Sequence, residues 1–279
     1  MKPIIVMQTD FGIGGGSAMR GTIRKVDDEI PVYEASHIIE KFNVRAAGIL
    51  LRHMVPYWPA GTIFVSVVDP GVGTARRASV ALLNNGSYIV TPDNGTLTPV
   101  LETVGVKAIR KIDETRNRLK GTEKVSIFHG RDLFAYCAAR LASGIIDFEG
   151  VGEEYPVEEI VRYKEPEFGY SDGRMFGHIT GMMRTFGNLE SNIPLDFVEK
   201  AGLEGADPVH VKISRGDQVF MEGPVAFKAS FGWVDEGAEV VYKSSSGYIG
   251  IGVNRGSFAD RYKIDSSGEF EIEITKEEG

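Results

Sequence analysis

An N-terminal α/β domain with a largely parallel sheet, followed by a smaller all-β domain, is the fold this sequence predicts, and three observations predict it. Short apolar runs alternate with stretches of helical periodicity up to about residue 145. Residues 150–173 then carry Pro156, Pro166, Gly169, Gly173 and many charges, the composition of a linker. Beyond them, short strand-like runs follow one another with turns between. The expected domains are 1–160 and 161–279.

Taken in order, Pro3 to Gln8 reads as a first strand, followed by Thr9-Asp10-Phe11-Gly12 and the run Gly14-Gly15-Gly16, with Ser17 placed to cap a helix to Val26. This glycine loop has neither the lysine of a triphosphate-binding loop nor the spacing of a dinucleotide turn. Asp10 at the strand tip suits either a ribose diol or the capping of the next turn. Val32 to Ala35 is a second strand, Asn43 to Met54 a helix stopped by Pro56, and Phe64 to Val68 a third strand. Ala78 to Leu83 and Tyr88 to Val90 form a hairpin around Asn84-Asn85-Gly86-Ser87. Thr91-Pro92-Asp93-Asn94-Gly95 leads into a helix near Leu97 to Val104. A strand over Val125 to Phe128 ends in His129-Gly130-Arg131-Asp132, ahead of a helix from Leu133 to Ala142.

In the second half, strands are expected at Met175 to Thr180, Val209 to Ile213, Val240 to Tyr242, Tyr248 to Val253 and Phe270 to Ile274, with helical character near Pro194 to Ala201. A small barrel or a sandwich accommodates them.

Chemistry concentrates at predicted strand ends. Asp69 follows the third strand directly, and Pro70, Gly71 and Gly73 force a turn that returns Arg76 and Arg77. Open α/β sheets place ligands beyond such carboxyl ends. Asp10, Asp69, Asp93 and His129 all fall there, so they are expected to converge on one edge. Taken singly, Asp69 with its arginines also suits a plain loop ion pair, and His129 a backbone-bonded strand end.

Composition narrows the classes. The chain has 279 residues, 42% hydrophobic and 25% charged, as in a globular protein. A net charge of −8 without any Lys/Arg-rich run argues against nucleic-acid binding. No apolar run reaches the roughly 18 residues of a membrane span, and the amino terminus lacks the features of a signal peptide, so a cytoplasmic protein is expected. Cys137, the only cysteine, lies among Phe134, Tyr136, Ala138 and Ala139 and reads as a core residue. No HxH, HExxH or cysteine pair suggests a metal, and His37, His53, His178 and His210 read as structural.

Six short motifs, in order and spacing, resemble the S-adenosylmethionine hydroxide adenosyltransferases, relatives of the fluorinating and chlorinating enzymes. They are Thr9-Asp10-Phe11-Gly12, Asp69-Pro70-Gly71-Val72-Gly73-Thr74 with Arg76, Pro92-Asp93-Asn94-Gly95, Phe128-His129-Gly130-Arg131-Asp132, Phe186-Gly187-Asn188 with Asn192, and Ser245-Ser246-Gly247-Tyr248 with Asn254.

The resemblance implies hydrolysis of S-adenosylmethionine (SAM) to adenosine and methionine, with SAM as substrate and no cofactor. It assigns a catalytic set of Asp69, Arg76 and His129. It places Asp10, Phe42, Phe128, Gly130, Phe186, Asn188, Ser245 and Asn254 around the substrate. It implies a homotrimer with sites at subunit interfaces. Two positions depart from the halogenating relatives: Met183 stands where they carry an aspartate for the substrate's amino group, and Ser246 where they carry an arginine. A non-catalytic adenosine or SAM sensor is the alternative from another class, and the Asp69, Arg76 and His129 set argues against a halogenase.

Overall fold

The apolar runs of the first half assemble into a seven-stranded sheet in the computed structural model, which describes residues 2–277. The chain divides into two compact units between Tyr163 and Lys164. In the first unit the strands are β1 (Ile5–Thr9), β2 (Val32–Ser36), β3 (Ile63–Val67), β4 (Ala78–Leu83), β5 (Tyr88–Pro92), β6 (Val106–Lys111) and β7 (Glu154–Tyr155), in the order β2-β1-β3-β5-β4-β6-β7.

Strands β2, β1, β3 and β5 are parallel, but β4 runs antiparallel to β5 and to β6, and β7 antiparallel to β6. The sheet is therefore mixed, which corrects the expectation of a largely parallel one. The cause is local: the 84–87 turn makes a tight hairpin, which joins only antiparallel strands. The remaining strands then add to the free edge of β4.

Every residue of β1 and of β3 is buried, and the alternation of side chains supplies both faces. Ile5, Met7, Val65 and Val67 pack with Met19, Ile23, Phe134 and Cys137 on one side. On the other, Val6 and Phe64 pack with Leu51, Leu97 and Val100. Fully burying such side chains contributes about 1.5–3 kcal/mol each.

The helices over these faces are α1 (Ser17–Val26), α2 (Val44–Met54) and α3 (Thr98–Thr103), with α4 (Glu114–Asn117) a single turn. Asn43 caps α2 through Oδ1, which accepts from Ala46 N at 2.8 Å. Ser17 does not cap α1: it is the first helical residue, Gly16 holds the cap position, and no side chain bonds there.

Two further expectations change. No strand forms over 125–128; the chain is irregular there, with Val125 and Ile127 exposed. The Val125 carbonyl finds a side-chain partner instead of a neighbouring strand, as described below. The following helix starts earlier than expected, as a π-type turn at Gly130–Ala135 that continues as α5 (Tyr136–Ala142). Cys137 is fully buried in it, and burial pushes its thiol up to about 12, consistent with a core residue.

In the second unit, the strands are β8 (Gly169–Ser171), β9 (Arg174–Met183), β10 (Asn188–Pro194), β11 (Val209–Arg215), β12 (Gln218–Phe227), β13 (Glu239–Lys243), β14 (Tyr248–Val253) and β15 (Glu271–Lys276). Short helices α6 (Phe197–Lys200) and α7 (Phe258–Tyr262) interrupt them. The sheet order β10-β14-β13-β12-β11-β15-β9-β8 closes into a barrel because β9 also pairs with β10. Strand β9 is long enough to do both, bonding β15 through Arg174 to His178 and β10 through Ile179 to Met183. Alternate residues Val209, Val211 and Ile213 face Ile272, Ile274 and Leu189 in one barrel core. Closure leaves no open edge along most of the barrel. Among the described residues, no helix is long and apolar enough to cross a membrane.

Candidate active site

The turn after β3 is what brings a carboxylate and a guanidinium together. Val72 N donates to the Asp69 carbonyl at 3.3 Å and Thr74 Oγ1 to the Gly71 carbonyl at 2.7 Å, which folds the loop back on itself. Arg76 thereby faces the residue seven positions earlier. Its Nε donates to both Asp69 carboxylate oxygens at 3.0 Å, and Nη2 also donates to Oδ2. The side chains are only 10% and 4% exposed, so this is a largely desolvated, multiply bonded ion pair.

The same Arg76 Nη2 donates to His129 Nδ1 at 3.0 Å. His129 is buried, at the residue where the irregular 118–128 segment enters the helical turn. A guanidinium has no acceptor, so Nδ1 must offer its lone pair and the neutral ring carries its proton on Nε2. Burial first, then the Arg76 charge, hold His129 below the ordinary imidazole range, with Arg118 adding to them and Glu114 and Asp69 acting in the opposite sense. Asp69, Arg76 and His129 thus form one hydrogen-bonded run.

Around it, Gly130 has no room for a Cβ, which would lie 2.9 Å from the Phe11 ring and 3.5 Å from Met19 S. Phe11 meets Phe128 edge to face, with centroids 5.8 Å apart, and the Arg131 guanidinium lies 4.7 Å from the Phe128 ring centroid. The loop carrying Asp10 is therefore packed against the segment carrying His129. Asp10 Oδ2 accepts from Phe42 N at 2.9 Å, and this bond holds Phe42 at φ 64°, an unusual conformation for an aromatic residue, with its ring 68% exposed.

Not all the strand-end acids converge. Asp93 belongs to a separate network, accepting from Arg77 Nε at 3.0 Å, Tyr155 Oη at 3.1 Å and Val161 N at 2.9 Å. Arg77 is thereby committed to Asp93 and Glu159. His37 bonds Thr9 Oγ1 and Glu34, and His178 the Gly268 carbonyl, outside the Asp69 run.

In the barrel unit, Phe186 lies in the tight β9–β10 turn and is exposed. Gly187 follows it at φ 66°, where a Cβ would fall 1.9 Å from Ser257 Oγ. Asn188 opens β10, its Oδ1 lying over Gly252, which leaves space for it by lacking a side chain. Ser245 is the exposed tip of the β13–β14 turn. Asn254 Nδ2 donates to the Val234 carbonyl at 2.8 Å, and its backbone N and O bond Ala238 and Gly237, so it braces the neighbouring loop.

One residue escaped the reading of the sequence. Arg118 Nη1 lies 3.5 Å from His129 Nε2 and donates to Glu114 Oε2 at 2.6 Å. The only sequence signal is an i,i+4 Glu/Arg pair, a pattern that ordinarily marks a solvated helix face.

Comparison with known proteins bears on this site. Residues 5–152 match the family model described as the SAM hydroxide adenosyltransferase N-terminal domain, and residues 185–271 the C-terminal domain of the same family. An (R)-S-adenosyl-L-methionine hydrolase of Methanocaldococcus jannaschii is 35% identical over 70% of this chain and 68% of its own. Its namesake from Salinispora tropica is 32% identical over 92% of this chain and 93% of its own. A fluorinase of Actinopolyspora mzabensis is 27% identical over 94% of each. The crystal structure of an uncharacterized conserved protein from Thermotoga maritima superposes with a TM-score of 0.86 at 33% identity, covering 97% of this chain and 99% of that one.

Proposed function

The chain belongs to the SAM hydroxide adenosyltransferase family, and from that premise we propose that it cleaves S-adenosyl-L-methionine with water, giving adenosine and L-methionine. The observation that carries this reading is the hydrogen-bonded run from Asp69 through Arg76 to His129. Its relatives named as hydrolases share the chain over most of its length.

The reaction is a displacement at the 5′ carbon. The water oxygen forms a bond to carbon as the carbon–sulfur bond breaks, and the electron pair leaves on sulfur. The sulfonium becomes a neutral thioether, so the leaving group needs neither proton nor metal. The demanding partner is the nucleophile: water has a pKa of about 15.7, and making free hydroxide at pH 7 costs roughly 12 kcal/mol. Placement avoids that cost. A water held in line loses its proton only as the new bond forms, when the oxygen has become strongly acidic, and the proton passes to a nearby acceptor or to solvent.

The residues divide this work. Arg76, permanently charged and fixed by Asp69, supplies positive potential to the oxygen as its proton leaves. His129, neutral with its proton on Nε2, donates to that oxygen and orients it. Asp10 takes the ribose hydroxyls, and Phe42, Phe128, Gly130, Phe186, Asn188, Ser245 and Asn254 enclose the adenosyl and methionyl parts. The (R) configuration in the relatives' names extends to this chain as the preferred sulfonium epimer. No cofactor takes part.

The same proposal includes a cytoplasmic homotrimer, in which one subunit's N-terminal domain and a neighbour's C-terminal domain share each site. What supports it is exposed apolar surface at functional loops: Ile13, Ile38, Phe42 and Ile127 in one unit, Met183, Phe186 and Trp233 in the other.

The test is incubation with each SAM epimer in oxygen-18 water, with and without chloride, followed by mass spectrometry. Label in the 5′ hydroxyl of adenosine with equimolar methionine is the expected result. Halide-dependent 5′-halo-adenosine, or SAM bound but intact, overturns it. Light scattering during size-exclusion chromatography checks the trimer.

A further inference from the structure

We propose that Arg118, held by Glu114, is a positioning residue for the Asp69, Arg76 and His129 set: it ties down the segment that delivers His129 and, from the side opposite Arg76, keeps the imidazole uncharged. The inference rests on His129 acting in the reaction, and it goes beyond that reading by assigning a role to a pair of residues outside the catalytic set.

Residues 118–128 form no regular strand, yet they deliver Phe128 and His129 to the site. Arg118 supplies the fixing that a hydrogen-bond ladder would have given. Its Nη2 donates to the Thr122 carbonyl at 3.1 Å and to the Val125 carbonyl, Nε to Thr122 Oγ1 at 3.4 Å, and Nη1 to Glu114. The side chain is 8% exposed although it belongs to a surface-type ion pair. A planar fork used on three sides has little freedom left, so the segment leading to His129 is tied at its root.

Guanidinium N–H groups point at both imidazole nitrogens, Arg76 at Nδ1 and Arg118 at Nε2. A neutral imidazole has one lone pair to offer and an imidazolium none. The 3.0 Å contact takes the lone pair, and the 3.5 Å contact leaves Arg118 as a nearby positive charge beside the Nε2–H. Protonating the ring would set N–H against N–H on both sides. Glu114 is the counterweight, because its carboxylate sits on Arg118 and favours the charged ring.

The other groups facing His129 are Asp69 and Arg76 from the loop after β3. On the α1 side, Phe11 and Met19 pack on Gly130 and carry no charge. Arg131 and Asp132 on its own helical turn are paired with each other.

Glu114 and Arg118 are therefore partners in one ion pair with opposite effects on the same ring, which makes the inference testable. Wild type, Arg118→Gln, Glu114→Gln and Arg118→Lys are labelled with 13C in the histidine rings. The His129 signal is assigned by its loss in His129→Gln, and each protein is titrated alongside the pH profile of kcat/KM.

The expected result is a His129 midpoint moved up by about half a pH unit in Arg118→Gln and down by a similar amount in Glu114→Gln. The acid limb of the rate profile moves the same way in each, and Arg118→Lys, which keeps the charge, stays near wild type. A purely structural pair behaves differently: both glutamine variants lose activity together while the His129 midpoint stays put, and that overturns the proposal. If the midpoints part but the rate profile ignores them, the place of His129 in the reaction fails, and with it the positioning role of Arg118; the ring titration separates that failure from the first.

Discussion

The two units treat their polar residues in opposite ways. In the α/β unit, His129 is buried, the Asp69 and Arg76 side chains are nearly so, and the three are bonded to one another, so their geometry is set before any ligand arrives. In the barrel unit, Phe186 and Ser245 stand exposed at the tips of the β9–β10 and β13–β14 turns. Reacting groups gain from being fixed in place, because orientation gained on folding is not lost again at each turnover. Recognition groups must leave their contact faces open until the ligand covers them. The difference teaches which variants belong to rate and which to affinity.

The sharpest break of that comparison is in the buried run. Asp69→Asn, Arg76→Gln and His129→Gln are each expected to lower kcat by about 10²–10⁴-fold. Adenosine affinity, measured by calorimetry, should change by less than about threefold. Comparable losses in both would place these residues in binding instead. Arg76→Gln also strands a buried Asp69, so a stability loss of about 3–5 kcal/mol should accompany it and appear in thermal unfolding.

Next in size comes Gly187→Ala at the Phe186 turn. The methyl group meets Ser257 Oγ at 1.9 Å on a backbone at φ 66°, so the turn must rearrange. A destabilisation of about 1–3 kcal/mol is expected, and the double variant with Ser257→Gly should recover part of it. Phe186→Ala removes only an exposed ring. It should leave the melting temperature unchanged and raise KM about tenfold at nearly constant kcat. A change in kcat alone would mean that the barrel surface takes part in the chemistry, against the division drawn here.

The sequence was legible where one physical signal dominated. Largely apolar runs gave β1 and β3, the Asn-Asn-Gly-Ser turn gave the hairpin, and the placement of Asp69 after β3 with the motif spacing singled out Asp69, Arg76 and His129, which the structure joins in one hydrogen-bonded run although no strand precedes His129. It was illegible where long-range pairing decided. β10 contains Glu190, Ser191 and Asn192, and β12 contains Gly223 and Pro224, so neither looks like a strand until barrel closure supplies its neighbours. The strand expected over 125–128 failed for the converse reason, since its residues pair with no strand of the sheet and the Val125 carbonyl goes to Arg118. Arg118 itself was hidden because a Glu/Arg pair at i,i+4 is locally indistinguishable from a solvated one.

The acid limb of activity follows from the direction of the His129 perturbation. Burial and Arg76 hold the ring below its ordinary value of 6.5, so the neutral form persists as the solution becomes mildly acidic. Activity that needs neutral His129 should therefore be retained through pH 6.5 and fall below it. A half-maximal point of kcat/KM above 6.5 would mean that the ring is charged where the structure opposes charge. At neutral pH the ring is therefore already largely neutral, and its titration changes the rate there less than any substitution above.

The smallest expected effect separates two neighbouring serines in the β13–β14 turn. Ser246 Oγ donates to Glu190 Oε2 and lies 2.9 Å from Ser244 Oγ, so its hydroxyl is engaged within the barrel. Ser244 Oγ reaches the same carboxylate oxygen at 3.0 Å, and Tyr242 beside it is pushed up to about 12 by burial and the Glu190 charge. Ser245, between them, points its residue outward at the tip. Ser246→Ala removes a hydrogen bond to a carboxylate and should lower stability by about 1–2 kcal/mol. Ser245→Ala removes a hydroxyl that only a ligand would use, so it should leave the melting temperature alone and raise KM by about two- to tenfold. The two serines then report the contrast between built and open polar groups one residue apart. If Ser245→Ala instead lowers stability while KM is unchanged, the tip belongs to the barrel framework and recognition in this unit rests on Phe186 and Asn188.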